Sequence, residues 1–377
     1  MNDNTFVNKE LFSTQFDIDN RKKRLDDFEE LYKLLHGHLE PMAKPIIDKK
    51  EAKKYISLYK EENKELVLKL LGNTKYVPFE KFYSELKDQV NRFNQNIDER
   101  EYIMVLGVGN AGGGTLSDFS IFKSNFWICL LVWPLLKTKP YDIIFNLNVA
   151  IKLYFDKAKD YVILDDMAYS GSQLIYGVLE PAAAELNYHV KNSYVNFNVS
   201  SSSMFKPVLD KVMNVHIIVP FFSTIAYTRL SDLDLTTGFN FIKYISYIVN
   251  PYRNIFTTDE LTKLDNLYKQ YYQWINLGQL IPIYFQHKIA DALSTIDLIL
   301  IKGQVLDDPT KKHVFIKECK YDPKKASTEV FNPSQENFTT RKIYCPIPPY
   351  VMYEKVISKQ LKREEKESKA SIKSTDF

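Results

Sequence analysis

Over roughly the first hundred positions, apolar residues recur at three- and four-residue spacing among charged ones. The run FEELYKLLHGHLEPMAKPIIDKKEAKKYISLYKEENKELVLKLLG is the clearest stretch. That period predicts amphipathic helices, which Pro41, Pro45 and Gly72 divide. At Tyr102 the pattern changes. YIMVLGVG (102–109) is a continuous apolar run closing on glycine, the mark of a strand buried on both faces. WICLLVW (127–133) and YDIIFNLNV (141–149) read as further strands. KDYVILDD (159–166) is a short strand ending in two aspartates, and SGSQLIYGVLEPAAAEL (170–186) a helix behind it. NSYVNFNVS (192–200) and VHIIVPFFS (215–223) read as strands, with a short helical MFKPVLDKVM between them. TTDELTKLDNLYKQYYQWINL (257–277) is an amphipathic helix with Thr258 as its N-cap and Gly278 just past its end.

Strands alternating with helices predict an α/β fold with a mostly parallel sheet. The chain divides by character into four regions: helical 1–98, an α/β core 99–225, a mixed extension 226–345 and a charged tail 346–377. The tail has no apolar period and is expected to be disordered. No internal repeat is visible.

Composition removes several classes. Fifty basic against 47 acidic residues leave a net charge of +3. That balance points away from nucleic acid and membrane surfaces as partners. The longest apolar stretch, FWICLLVWPLL (126–136), is too short to span a bilayer. Three scattered cysteines, Cys129, Cys319 and Cys345, form no CxxC pair and predict a reducing, cytoplasmic setting. Glycine is scarce, 12 in 377 residues, yet Gly107, Gly109, Gly112, Gly113 and Gly114 fall together. Glycines so concentrated imply backbone that other residues cannot adopt or approach.

The richest chemistry lies in Val162-Ile-Leu-Asp165-Asp166-Met-Ala-Tyr-Ser-Gly-Ser-Gln-Leu174. A buried strand delivers two carboxylates to its carboxyl end, the edge where open α/β sheets bind ligands. A loop of small and hydroxylated residues then opens a helix, so backbone N–H groups and the Ser170 and Ser172 hydroxyls can meet a phosphate. Carboxylates beside it suit ribose hydroxyls or Mg²⁺, which prefers hard oxygen ligands. The alternative is an Asp-Asp turn closing a strand, with Ser170 as a helix N-cap.

This segment resembles the signature of the type I phosphoribosyltransferases: a hydrophobic strand, two acidic residues, three variable residues, then Thr-Gly-x-Thr/Ser. The resemblance implies that Asp165 and Asp166 take the ribose of phosphoribosyl pyrophosphate (PRPP), with Mg²⁺ held through ribose or water. It implies that Ala168, Tyr169, Ser170, Gly171 and Ser172 wrap the 5′-phosphate. Ser170 stands where Thr is usual, Gln173 where a second Thr or Ser is usual, and Tyr169 where the 6-oxopurine enzymes carry an aspartate. In the same family the strand before the signature ends in a pyrophosphate loop; here that would be Gly109, Asn110, Ala111, Gly112 and Gly113, with Lys123 the nearest cation. His287, Lys288 and Asp291, within four positions of one another, are candidates for a hood that reaches the base or pyrophosphate. The implied activity is transfer of a phosphoribosyl group to a nitrogenous base with release of pyrophosphate, and the implied assembly allows a homodimer.

Two rival readings stand beside this one. A phosphoribosyltransferase fold without catalysis would serve regulation or assembly, which the lack of a basic residue in 107–114 favours. A Rossmann-type nucleotide site would use G-x-G-x-x-G at 107–112. The residues after Gly114 do not open an amphipathic helix, however, and the run at 127–133 ends without the acidic residue that fingerprint needs.

Overall fold

The computed structural model describes residues 21, 22, 25, 26, 28, 29, 49–106, 124–144, 146–158, 160–195, 213–236, 238–269, 271, 277–285, 299 and 303–313. Two helices, α1 (Lys49–Ser57) and α2 (Glu61–Gly72), lead to a short strand β1 (Lys75–Val77) and a long helix α3 (Phe79–Ile97). Then come β2 (Tyr102–Val105), α4 (Ser124–Val132), β3 (Asp142–Ile144), α5 (Leu147–Tyr154), β4 (Asp160–Leu164) and β5 (Met167–Ala168). Helical chain follows from Ser172 to Val195: α6 (Ser172–Leu174), a π turn (Ile175–Leu179) and α7 (Glu180–Val195). The core closes with β6 (Met213–Ile218), β7 (Phe221–Ser223), α8 (Thr224–Thr236), β8 (Phe239–Tyr244) and β9 (Tyr247–Val249). Beyond it lie α9 (Thr258–Lys269), β10 (Ile283–Phe285), β11 (Gln304–Val305) and β12 (Asp308–Lys312).

The predicted parallel sheet is present, with five strands in the order β3-β2-β4-β6-β8 and every pairing parallel. All residues of β2 and β4 are buried, which is why both read as unbroken apolar runs. One face of the sheet is covered by a cluster that includes Phe82, Leu86, Val90 and Phe93 of α3 and Ile128 to Val132 of α4. The other face holds Ala150 and Ile151 of α5, Ala182 and Leu186 of α7, and Ala226 and Leu230 of α8. Helix, sheet and helix therefore make three layers.

A third cluster joins Val67 and Leu70 of α2 to Leu264 and Tyr268 of α9 and to Val305 and Leu306. Strand β1 pairs in parallel with β10 at the border of the two clusters. Ile283 and Phe285 point into the sheet-face cluster while Tyr284 points into the third, the alternation a strand imposes.

Several expectations need correction. Residues 124–132 are helical, not a strand, and a 3₁₀ turn (Trp133–Leu135) follows. Ile128, Cys129, Leu130, Leu131 and Val132 are all buried, and a run apolar on every side carries no period to separate helix from strand. The expected strand 141–149 is a strand only at Asp142–Ile144 before α5 begins. Helix α7 runs on to Val195, so 192–195 are not a strand. Strand β1 lies within a stretch expected to be all helix. The N-cap of α9 is Thr257 rather than Thr258: its Oγ1 accepts the Glu260 N–H at 3.3 Å, and its own N–H donates to Glu260 Oε2 at 2.8 Å. These two bonds form a capping box. Gly278 lies in a later 3₁₀ turn (Leu277–Gln279) rather than at the end of α9. Gly107 to Gly114, Lys123, His287, Lys288, Asp291 and the tail fall outside the described residues. Among the described residues, no helix is long and apolar enough to cross a membrane.

Candidate functional site

From β2 the chain adds β3 on one side, then crosses back to place β4 on the other side of β2. The direction of sheet growth reverses there, and the crevice between the carboxyl ends of two such strands is where open α/β sheets bind ligands. Val105 at the end of β2 is level with Ile163 near the end of β4. The glycine cluster leaves the first of these strands, and Asp165-Asp166 the second.

The aspartates occupy a step in the sheet rather than a free strand end. Strand β4 stops at Leu164 and pairing resumes at Met167 in β5. The neighbours break at the same level: β6 and β7 are separated by Val219-Pro220, and β8 and β9 by Ile245-Ser246. A smaller parallel sheet, β5-β7-β9, forms beyond the break. Pro220, which has no N–H to donate, contributes its carbonyl, which accepts from Ser246 N at 2.9 Å and Tyr247 N at 3.0 Å. The backbone of Asp165 stays tied to the main sheet through its N–H to the Ile218 carbonyl, 3.2 Å.

Within the step the carboxylates hold their own backbone. Asp165 Oδ1 accepts from Asp166 N at 2.9 Å, and Asp166 Oδ1 from Met167 N at 2.8 Å. Asp165 is half-buried, whereas Asp166 is only 1% exposed. Tyr169 is enclosed as well. Burial drives its phenol well above the ordinary tyrosine value, and the charges of Asp166 and Asp165 add to the effect. Among the described residues its hydroxyl has no hydrogen-bond partner. From α4, buried Cys129 is near enough to Asp165 to feel its charge; burial first, then that carboxylate, raise its thiol. Asn125, one turn earlier on the helix, is 2% exposed, and neither of its amide atoms has a partner among the described residues.

The loop after the aspartates is shaped by α8. Gly171 has φ +73°, the left-handed region, and a Cβ there would sit 3.0 Å from Ala226 Cα and Cβ. Only glycine meets both demands without strain. Ser223 locks the same contact: its hydroxyl donates to the Tyr169 carbonyl and accepts from Ala226 N at 2.9 Å, capping α8. Ser170 Oγ accepts from Ser172 N at 3.1 Å. Arg229 Nη1 donates to the Ser170 carbonyl at 2.9 Å and to Ser172 Oγ at 3.2 Å. The helical chain behind the loop carries the π turn Ile175–Leu179, an irregularity frequent at functional sites.

The structure thus gathers Asp165, Asp166, Ala168, Tyr169, Ser170, Gly171 and Ser172 into one step-and-loop unit. Asp165, Ser170 and Ser172 are partly exposed, while Asp166, Ala168, Tyr169 and Gly171 are buried. Sequence reasoning missed Arg229, which has no local signal because it reaches the loop from another helix. Comparison with protein-family models, with curated proteins and with solved structures found no match.

Proposed function

We propose that the protein binds PRPP, or a related phosphorylated ribose, at the carboxyl edge of its parallel sheet. Its reaction class would be transfer of the phosphoribosyl group to a nitrogenous base. The observation that carries this reading is the acidic pair and hydroxyl-bearing loop at the reversal point of the strand order. Asp165 takes the ribose hydroxyls and Asp166 supports it from inside the step. The loop 168–172 receives the 5′-phosphate, and the glycine cluster that follows β2 meets the pyrophosphate. Pyrophosphate leaves as the base nitrogen attacks C1 of the ribose, so the work of the protein is positioning and stabilisation of separated charge.

Mg²⁺ fits as an ion that arrives with the ligand. Among the described residues, no three His, Cys, Asp or Glu side chains converge as a ligand set. One oxygen of each aspartate already accepts a backbone N–H. Mg²⁺ keeps several waters and is usually held by one or two carboxylates plus ligand phosphates. Asp165 suits that role through water, and the ion would supply charge neutralisation for the departing pyrophosphate.

The enclosure of Asp166 favours a second reading, binding without turnover in a regulatory or assembly role. Titration calorimetry with PRPP and Mg²⁺ tests the common part: the wild-type chain should bind and Asp165→Asn/Asp166→Asn should not. Equal affinities, or no binding by the wild type, sink the proposal. Pyrophosphate release with candidate bases then separates enzyme from binder.

A further inference from the structure

A phosphate beside two aspartates needs a cation, and the loop sequence 168–172 contains none. The structure supplies one from elsewhere. Ala226, on the first turn of α8, lies against Gly171. Arg229, three residues on, falls on the same helix face and reaches across the loop.

A single nitrogen, Nη1, makes both loop contacts, to the Ser170 carbonyl and the Ser172 hydroxyl. Among the described residues, Nε and Nη2 make no hydrogen bond and no carboxylate pairs with the guanidinium. The residue is exposed. Its planar fork matches two phosphate oxygens at once. The loop beneath is held firmly by Gly171, Ser223 and the enclosed Tyr169. Arg229 therefore stands over a fixed surface bearing two hydroxyls.

We infer that Arg229 is the phosphate-anchoring residue of this site, gripping the terminal monoester of a phosphorylated sugar against Ser170 and Ser172. The inference rests on the ribose-phosphate reading above and adds the residue that would set its preference for a phosphorylated over a free sugar. A guanidinium serving only to staple the loop would predict no effect on ligand affinity once the loop is in place.

Ribose 5-phosphate is the probe, titrated calorimetrically into the full chain at two salt concentrations. Wild type should bind with an affinity that falls as salt rises. A hydrogen bond to a charged group contributes about 1.5–3 kcal/mol, so Arg229→Gln should weaken binding about 10- to 100-fold and flatten the salt dependence. Arg229→Lys, which keeps the charge and loses the fork, should fall between. In the unaltered protein, ribose 5-phosphate should slow phenylglyoxal modification of Arg229, followed by peptide mass spectrometry. Wild-type affinity in Arg229→Gln, or an unprotected Arg229, overturns the inference while leaving the ribose-phosphate site standing. If the wild-type chain binds neither ribose 5-phosphate nor PRPP, both fall together.

Discussion

Gly171 shows how one position can carry two constraints at once. Its φ of +73° is strained for any residue with a Cβ, and the space that atom would enter is filled by Ala226 of α8. Neither neighbour can yield cheaply, because Ala226 Cα is backbone and Ser223 ties the start of α8 to the Tyr169 carbonyl. Gly171→Ala should therefore cost about 1–3 kcal/mol of stability, read from urea denaturation. Gly72, at the end of α2, makes the contrast: nothing lies within 4 Å of its Cβ position. Gly72→Ala should be neutral, or should gain up to about 1 kcal/mol from helix propensity. If both substitutions behave alike, the close approach of loop and helix is not as described. The glycine itself was visible in the sequence as part of the loop, but its reason was not. Ala226 lies far along the chain, and only the pairing of β5 with β7 brings it there. Arg229 was hidden by the same distance.

Among the elements, β4, β6 and β8 share a polar band on the face that α3 covers. Asp160 at the start of β4 receives Arg100 Nη1 at 3.0 and 3.2 Å and Asn214 Nδ2 at 3.0 Å. His216 Nε2 lies 2.7 Å from Asp160 Oδ1, and its Nδ1 is 3.0 Å from the Tyr244 hydroxyl. Phe93 of α3 meets the His216 ring edge-on at 5.3 Å. Burial works to raise the Asp160 carboxyl, but the hydrogen bonds from His216 and Asn214 and the Arg100 charge prevail and hold it below the ordinary value. A depressed carboxyl contributes stability that is complete above the ordinary aspartate value, about 3.9. That contribution is lost as pH falls through the depressed one. Asp160→Asn should cost about 1.5–3 kcal/mol at neutral pH. The gap from wild type should narrow below about pH 4, in denaturation curves measured across pH. Parallel curves would remove Asp160 from the account of acid stability. Hydrophobic pattern located β4 and β6 but not β8, which lies in the stretch read only as a mixed extension, and not this band, because its members satisfy one another across strands. The pattern failed outright at α4, where burial on every side erased the period that marks a helix. It was reliable for β2 and β4, short runs bounded by a glycine and by aspartates.

The whole molecule turns on how far the sheet depends on chain outside the α/β stretch. Composition and period suggested a core at 99–225 with a helical region ahead of it. In the fold, α3 sends Phe79, Phe82, Leu86, Val90, Phe93 and Ile97 into the cluster on one face of the sheet, each at most 1% exposed. A buried side chain of this size contributes about 1.5–3 kcal/mol, so the six together are on the order of the roughly 5–15 kcal/mol by which a domain is stable. The opposite end is tied in as well, because β8 closes the sheet beside β6 and β10 adds Ile283 and Phe285 to the same cluster. Strand β10 in turn pairs with β1, which leads directly into α3. A fragment of residues 99–225 would lose α3 from one face of the sheet, α8 from the other and the edge strand β8, and it should show no cooperative thermal transition. Residues 49–313 retain both faces, β8 and the β1–β10 pair, and should melt as one unit in calorimetry. A cooperative melt of 99–225 comparable to that of 49–313 would mean that α3 and β8 contribute far less than their burial implies. The consequence reaches the site. Asp165 and its loop lie where β4, β6 and β8 break together, so a fragment lacking β8 and β9 should lose the step that holds the acidic pair as well as its stability.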